Sequence, residues 1–295
     1  MSLLLSLLSD LPRPIAEITH IGAGSGSNLS DYLATDAAHI LLVEAEADAA
    51  AKLRAKTAHH PKVTVVHASV SANPKPRPFY HVSFSDLSSL RAPAKLREQF
   101  PGLRILTQET VTPITPESLL AGIETEPTGS RLLMIEAPGE ALGILQSLAK
   151  AELLQRYDII CLQEALAPLY EGATPAQKIR DFLSDASFVT LFSPNSEDPN
   201  RPHLIARLDQ ASIEREAQLA TLSEERDAAQ AETAALKSEL DSARQEIAAL
   251  TKAQEQSNTT QKTQTQRLNQ YREEMIKTEG QIKLLCDLLL NGNAL

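Results

Sequence analysis

The stretch Glu17-Ile-Thr-His-Ile-Gly-Ala-Gly-Ser-Gly-Ser-Asn-Leu29, with Ile40-Leu-Leu-Val-Glu-Ala-Glu46 after it, decides the fold. An apolar run leads into Gly22, Gly24 and Gly26, and a second apolar run ends in Glu44. This order predicts a strand, a glycine turn, a helix, a second strand and a closing acid, which is typical of a nucleotide-binding α/β half-fold. Glycine lets the backbone approach a ligand, and the acid can accept hydrogen bonds from ribose hydroxyls.

Strand and helix signals alternate around this unit through residue 208. Apolar runs rich in Ile, Leu and Val predict strands covered on both faces, at 16–21, 39–44, 63–67, 131–136, 157–163, 187–193 and 203–208. Helical patterns lie between them, at 27–35, 46–58, 94–99, 115–121, 140–151 and 174–185. The last two strands are joined too closely for a crossover helix, so they should form an antiparallel hairpin. The fold class is therefore α/β, a Rossmann-like, mostly parallel seven-stranded sheet ending in an antiparallel hairpin.

Composition divides the 295 residues into two parts. All 17 prolines lie at or before Pro202, and Tyr271 is the only Phe, Trp or Tyr beyond it. We expect an α/β domain over residues 1–210 and a coiled-coil region over 211–295. The segment 71–93 is rich in Pro and Ser, which predicts an irregular loop over the carboxyl ends of the strands, where open α/β sheets bind ligands.

A heptad pattern marks the second part as a long helical coiled coil. Steps of 3 and 4 keep one register through Leu219, Leu222, Arg226, Ala229, Thr233, Leu236, Leu240, Ala243, Ile247, Leu250, Gln254, Ser257, Gln261, Gln264, Leu268, Tyr271, Met275, Thr278, Ile282, Leu285 and Leu289. Such a stripe predicts self-association as a parallel dimer or trimer. A hairpin within one chain, bent near residue 258, is the alternative, although no Gly or Pro there forces a turn.

Charge and apolar-run length exclude several classes of partner. The net charge is −10 and no basic block occurs, which argues against nucleic acid. No apolar run approaches the ~20 residues that span a bilayer, and the apolar start has no positive region, so it predicts a short amphipathic helix. Cys161 and Cys286 are too few and too distant for metal ligation, so no metal is expected. A soluble cytoplasmic protein is the expectation.

These motifs together resemble the FkbM family of class I S-adenosylmethionine-dependent methyltransferases, over residues 15–208. Four further stretches match the family's pattern. A strand with a small-residue turn is Val63-Thr-Val-Val-His-Ala-Ser-Val70, and a Ser-rich loop is Phe84-Ser-Asp-Leu-Ser-Ser-Leu90. A helix start is Val111-Thr-Pro-Ile-Thr-Pro-Glu-Ser-Leu-Leu120, and a strand that ends in acids is Leu133-Met-Ile-Glu-Ala-Pro-Gly-Glu-Ala-Leu-Gly-Ile-Leu145. The resemblance implies S-adenosylmethionine as cofactor and a hydroxyl acceptor on a small molecule, sugar or glycan intermediate.

The resemblance also implies the site residues. The cofactor-binding set is His20, Gly22, Gly24, Gly26 and Glu44, and the catalytic pair is Glu136 and Glu140. The chain departs from the family's pattern at three positions, two within this set and one next to it. His20 and Glu136 stand where the family has acids, the second an Asp, and Pro138 replaces a Glu. His67 and His81 are candidate bases by residue type alone.

Two other functions remain open at this stage. The substitutions at His20 and Pro138 favour a catalytically degenerate head that is displayed on an oligomerising coiled coil. The glycine pattern is also shared with nicotinamide-dependent oxidoreductases, although Gly-x-Gly-x-Gly differs from the dinucleotide fingerprint Gly-x-Gly-x-x-Gly.

Overall fold

A mostly parallel seven-stranded sheet forms the centre of the first part of the chain. The computed structural model describes residues 14–121, 129–192 and 200–291. The strand order is β3-β2-β1-β6-β7-β9-β8, with bounds β1 Ile15–Ile21, β2 His39–Glu44, β3 Val63–His67, β6 Ser130–Ile135, β7 Ile159–Gln163, β8 Phe188–Phe192 and β9 His203–Leu208. The seven predicted strands are all present.

The last strand is inserted antiparallel between two parallel neighbours. β9 pairs antiparallel with both β7 and β8, whereas the pairs among β1, β2, β3, β6 and β7 are parallel. The predicted antiparallel hairpin is therefore confirmed. This order differs from the all-parallel 3-2-1-4-5-6 order of dinucleotide-binding folds.

Helices cover both faces of this sheet. The bounds are α1 Leu29–Leu33, α2 Ala47–Thr57, α3 Leu96–Gln99, α4 Pro116–Leu120, α5 Ala141–Lys150 and α6 Ala176–Asp185. Alternate residues of each strand enter two hydrophobic cores. One core packs Leu133 and Ile135 against α5 and α6, and the other packs Leu132 and Met134 against α1 and α2. Burial of both faces explains why the strands read as unbroken apolar runs.

A second, two-stranded sheet was not predicted. β4 (Arg77–Val82) and β5 (Ile105–Val111) pair antiparallel. The expectation of an irregular loop over 71–93 was therefore wrong for β4. Pro78 is tolerated because a two-stranded ribbon consists of edge strands.

One uninterrupted helix, α7, runs from Gln210 to Asn291 and contains 82 residues. This continuous helix contradicts a bend near residue 258. The chain consists of two compact units, and the boundary lies between Arg215 and Glu216. Within the ranges that the structure describes, no helix is both long and apolar enough to cross a membrane.

Candidate functional site

A cleft of about 770 Å³ opens at the carboxyl ends of β1, β2 and β6. Its floor includes the glycine turn and Glu44, and the segment from Phe79 to Leu90 contributes to its wall. The predicted position of the Pro- and Ser-rich segment at this edge of the sheet is thus observed, although part of it is strand β4. Five of the seven predicted site residues line the cleft, namely Gly22, Gly24, Glu44, Glu136 and Glu140, and His20 and Gly26 do not.

The three glycines of the turn serve different purposes. All three have positive φ, at +88° for Gly22, +54° for Gly24 and +85° for Gly26. A Cβ at Gly22 would collide with the carbonyl of Glu136, and a Cβ at Gly26 would lie 2.7 Å from Leu53 Cδ1. A Cβ at Gly24 would meet only Asp86 Oδ1, at 3.9 Å, inside the cleft. Packing therefore explains Gly22 and Gly26, whereas Gly24 leaves space for a ligand.

Glu44 closes β2 and faces the cleft with its carboxylate fixed. One oxygen accepts the Gly24 N–H at 2.6 Å, and the other accepts the Glu46 N–H at 2.7 Å. Burial raises the pKa of Glu44, and these two N–H groups oppose that rise. Each carboxylate oxygen retains a further acceptor site, so the group can still accept a hydrogen bond from a ligand hydroxyl.

His20 lies under the cleft rather than in it. It belongs to a series of side-chain contacts that runs from Tyr32 through His20 to Glu136. The His20 side chain is 2% exposed, and its Nδ1 lies 3.0 Å from the Tyr32 hydroxyl. Burial raises the pKa of Tyr32 well above its ordinary value. We therefore assign the tyrosine O–H as the donor to Nδ1, which places the imidazole proton on Nε2.

The second nitrogen of His20 points at the cleft carboxylate. Nε2 has no hydrogen-bond partner and lies 3.8 Å from Glu136 Oε2, too far for a hydrogen bond but close enough for electrostatic attraction. Burial favours the neutral form of Glu136, but His20, His203 and Arg201 outweigh it and hold the pKa of Glu136 below its ordinary value. Glu136 is 32% exposed, so its ionised carboxylate faces the cleft at the end of β6.

Glu140 differs from Glu136 because its two oxygens are engaged within the protein. One accepts the Ser71 hydroxyl at 2.6 Å, and the other accepts Arg91 Nε at 2.7 Å, with Arg77 at 3.6 Å. The carboxylate is buried and joins three separate segments of the chain. This geometry favours an anchoring role for Glu140, whereas its catalytic role stays a prediction.

Two further residues in or beside the cleft were not singled out as site residues by sequence. Glu164 follows β7 and accepts the Gly139 N–H at 3.3 Å. Burial raises the pKa of Glu164 to about 7, although N–H groups and Arg201 oppose the shift. Arg201 lies in the wall of the cleft. An acid at a strand end was the available signal for Glu164, and no local pattern marks Arg201.

The two candidate histidine bases have different positions. His67 is exposed and contacts the carbonyl of Ala45 at 3.0 Å, outside the cleft lining. His81 of β4 lines the cleft, with Nδ1 2.8 Å from Glu46 and Nε2 3.1 Å from Glu109 of β5. His81 therefore ties the β4–β5 sheet to the loop that follows β2.

No cluster of three or more His, Cys, Asp or Glu side chains within residues 14–121, 129–192 and 200–291 could hold a metal ion. Cys161 is buried and burial raises the pKa of its thiol to about 12. Cys161 is therefore a core residue at neutral pH.

Comparison with known proteins finds similarity in structure alone. No family model matches the chain, and no curated protein matches it in sequence. M. capricolum TrmK, solved with S-adenosyl-homocysteine, is 10% identical over 71% of this chain and 69% of that one, with a TM-score of 0.37. Precorrin-6y C5,15-methyltransferase from Geobacter metallireducens is 15% identical over 69% and 84%, with a TM-score of 0.36. The ribosomal protein L11 methylase of Lactobacillus delbrueckii is 13% identical over 70% and 76%, with a TM-score of 0.35.

Proposed function

We propose that the α/β head is an FkbM-like methyltransferase domain, which binds S-adenosylmethionine in the cleft and uses it to methylate a hydroxyl group. The observation that carries the proposal is the fixed Glu44 carboxylate beside Gly24. A strand-end acid, prepositioned next to a glycine with open space above it, suits a ribose whose two hydroxyls need an acceptor.

The residues that are present fit this cofactor. Gly24 leaves room above the turn, Glu44 offers acceptor sites for the ribose, and Glu136 offers an ionised carboxylate to the methionine ammonium group. His20 cannot replace the acid of the family by direct contact, because it is buried beneath the cleft. Its role in this proposal is to keep Glu136 ionised and oriented.

The cofactor would supply an electron-poor methyl group, and the side chains would bind, orient and exclude water. Methyl transfer requires mainly that the acceptor and the methyl carbon are aligned. The buried contacts of Glu140 to Ser71 and Arg91 hold three segments of the cleft wall in place. The lowered pKa of Glu136 makes it a weak base at neutral pH, so it suits binding of the methionine ammonium group better than removal of the acceptor's proton.

The charge of the cleft is consistent with a neutral acceptor. Six carboxylates line it, Glu44, Glu46, Asp48, Asp86, Glu136 and Glu140, against the cations Lys52 and Arg201 and the imidazole of His81. An acidic cleft repels polyphosphates and nucleic acid. A hydroxyl on a small molecule or glycan intermediate, which the family resemblance implies, meets no such repulsion.

One observation favours a second function, a binding module without catalysis. Pro138 lines the cleft where the family has a Glu, and its carbonyl accepts the Ser89 hydroxyl at 2.7 Å. The cleft therefore lacks one family carboxylate at this point. In this second function the nucleoside site is retained, and the bound cofactor or its product stabilises the head without turnover.

Titration calorimetry with S-adenosylmethionine, S-adenosylhomocysteine and NADH tests the proposal. Glu44→Ala should weaken binding of the first two by about 1.5–3 kcal/mol, the scale of a hydrogen bond to a charged group. Asp36→Ala, which removes an exposed carboxylate before the opposite end of β2, is the control and should leave binding unchanged. Wild-type protein that binds neither compound at millimolar concentration would contradict both functions, and binding without turnover on any hydroxyl acceptor would favour the second.

A further inference from the structure

The apolar seam of α7 is a surface that nothing in the described chain covers. The seam is the heptad register from Leu219 to Leu289. Its large apolar side chains are between 51% and 74% exposed, namely Leu219, Leu222, Leu236, Leu240, Ile247, Leu250, Leu268, Tyr271, Met275, Ile282, Leu285 and Leu289. Exposed apolar surface of this extent marks an interaction site.

The described part of α7 does not cover this seam by folding back on itself. The helix is continuous from Gln210 to Asn291, so its two halves do not fold onto each other. The seam extends for roughly 105 Å at ~1.5 Å per residue, so covering it requires a helix of similar length. A second copy of α7 supplies a helix of that length.

We infer that the seam of α7 is covered by the same seam of a second copy of this chain, parallel and in register. This inference does not depend on the proposed methyltransferase activity. In that arrangement every seam residue faces its own equivalent, so the polar positions Gln254, Ser257, Gln261 and Gln264 meet one another and no glutamine is buried against a leucine. Polar residues at such positions specify register.

The antiparallel alternative pairs fewer of the apolar positions. An antiparallel register that also keeps the polar residues together places Gln254 opposite Gln264 of the partner subunit and Leu250 opposite the partner's Leu268. In that register Leu240 faces the partner's Thr278, and Leu285 faces the partner's Thr233. In the parallel register each of these leucines faces its own equivalent, so the parallel pair matches more apolar side chains with one another.

Charges that flank the seam also favour the parallel pair in its first half. In a parallel coiled coil, the residue that precedes the first seam position of a heptad lies close to a residue of the partner helix whose number is higher by five. Glu232 then faces Lys237 of the partner subunit, and Glu239 faces the partner's Arg244. In the second half, Arg267 faces the partner's Arg272 and Glu274 faces the partner's Glu279.

The like charges of the second half are outweighed by the apolar residues beside them. An exposed pair of like charges costs little free energy. Burial of a large apolar side chain contributes several times more. Six such side chains lie in the second half of each copy, Leu268, Tyr271, Met275, Ile282, Leu285 and Leu289, so the whole seam pairs.

Light scattering on the full chain provides the first test, with matched glutamate substitutions. Wild-type protein at tens of micromolar should have two or more times the 32.1 kDa mass of one chain. Ile247→Glu with Leu240→Glu places charges in the seam and should raise the dissociation constant at least a hundredfold. The control, Ala248→Glu with Ser242→Glu, adds the same two charges at adjacent outward positions and should leave the mass unchanged. A wild-type mass of one chain would overturn the inference, as would a double seam variant with the mass of the wild type.

Disulfide trapping provides the second test and reports orientation. Leu285→Cys, made with Cys286→Ser, places one thiol in the seam, where a parallel in-register pair brings two copies of it together. Asp287→Cys in the same background places the thiol on the outward face as the control. Mild oxidation should cross-link the first variant and not the second. Buried Cys161 is present in both. An assembled protein without the Leu285→Cys cross-link would overturn the parallel register.

Discussion

Leucines have opposite environments in the two parts of this chain. Leu132 and Leu133 of β6 are 1% and 0% exposed, whereas Leu236 and Leu240 of α7 are 58% and 51% exposed. In the head, short apolar runs lie between helices of the same chain, so burial is complete within one molecule. In α7, leucine recurs with a heptad period along one continuous helix, which is typical of a coiled coil, so we expect a second helix to cover it. The period of the pattern, rather than the residue type, therefore predicts whether burial involves a second molecule.

The largest effect that would sharpen this comparison comes from matched leucine truncations. Leu133→Ala should lower the free energy of unfolding of the head by about 2–5 kcal/mol, because it opens a cavity in a closed core. The loss should be the same at all protein concentrations. Leu250→Ala should leave the head unaffected and should weaken α7 in a concentration-dependent manner. Denaturation followed by near-ultraviolet circular dichroism, which reports the buried Tyr32 and Tyr157, would measure the head. A lower free energy of unfolding of the head in Leu250→Ala would contradict the view that the head and α7 are stabilised independently.

Burial of a carboxyl group also distinguishes the head from α7. Glu164 has a folded pKa of about 7, above its unfolded value near 4.5. The folded head therefore binds one extra proton at Glu164. The contribution of this group to stability is fully present below pH ~4.5 and falls by roughly 3 kcal/mol as pH rises to ~7. Glu164→Gln should remove this decline and retain an acceptor for the Gly139 N–H. The measurement is the difference in unfolding free energy between wild type and variant at pH 5 and pH 8, and an equal difference at both would contradict the assignment.

Within the head, two glycines of one turn should separate stability from binding. Gly22→Ala combines a positive φ with a collision against the Glu136 carbonyl, so it should cost about 2–4 kcal/mol of stability. Gly24→Ala should cost only the backbone strain, about 1–2 kcal/mol. Its methyl group enters the cleft, so the variant should bind S-adenosylmethionine less well than its stability loss explains. Thermal denaturation and calorimetry on both variants would measure the two effects. Unaltered cofactor binding by folded Gly24→Ala would place the ligand elsewhere.

The strands of the large sheet were predictable because burial on both faces leaves a strong apolar signal. The β4–β5 sheet was missed because β5 is largely exposed and β4 contains Pro78, so neither strand carries the pattern of a buried strand. The glycine turn and the heptad pattern depend on neighbouring residues, so sequence predicted both. Contacts between distant segments depend on the tertiary fold, so sequence did not predict them.

The same distinction applies to the site. Glu44 and the glycine turn are local features, and both line the cleft. The contact of His81 with Glu46 and Glu109 crosses 35 and 28 residues of sequence. The burial of His20 beneath Glu136 depends on Tyr32 of α1, which no motif marks. Sequence therefore located the glycine turn and Glu44 of the cleft and left the electrostatic environment of the cleft carboxylates undetermined.

The smallest expected effect concerns His20, and it tests whether this residue acts through Glu136. His20→Gln removes the imidazole that lowers the pKa of Glu136, so the pKa of Glu136 should rise, as carbon-detected NMR titration can measure. A lowered folded pKa stabilises the head above the unfolded pKa, and this contribution is lost as pH falls through the folded pKa. The stability difference between wild type and His20→Gln should therefore be present at pH 7 and shrink in acid. A stability difference independent of pH would reduce His20 to a packing residue.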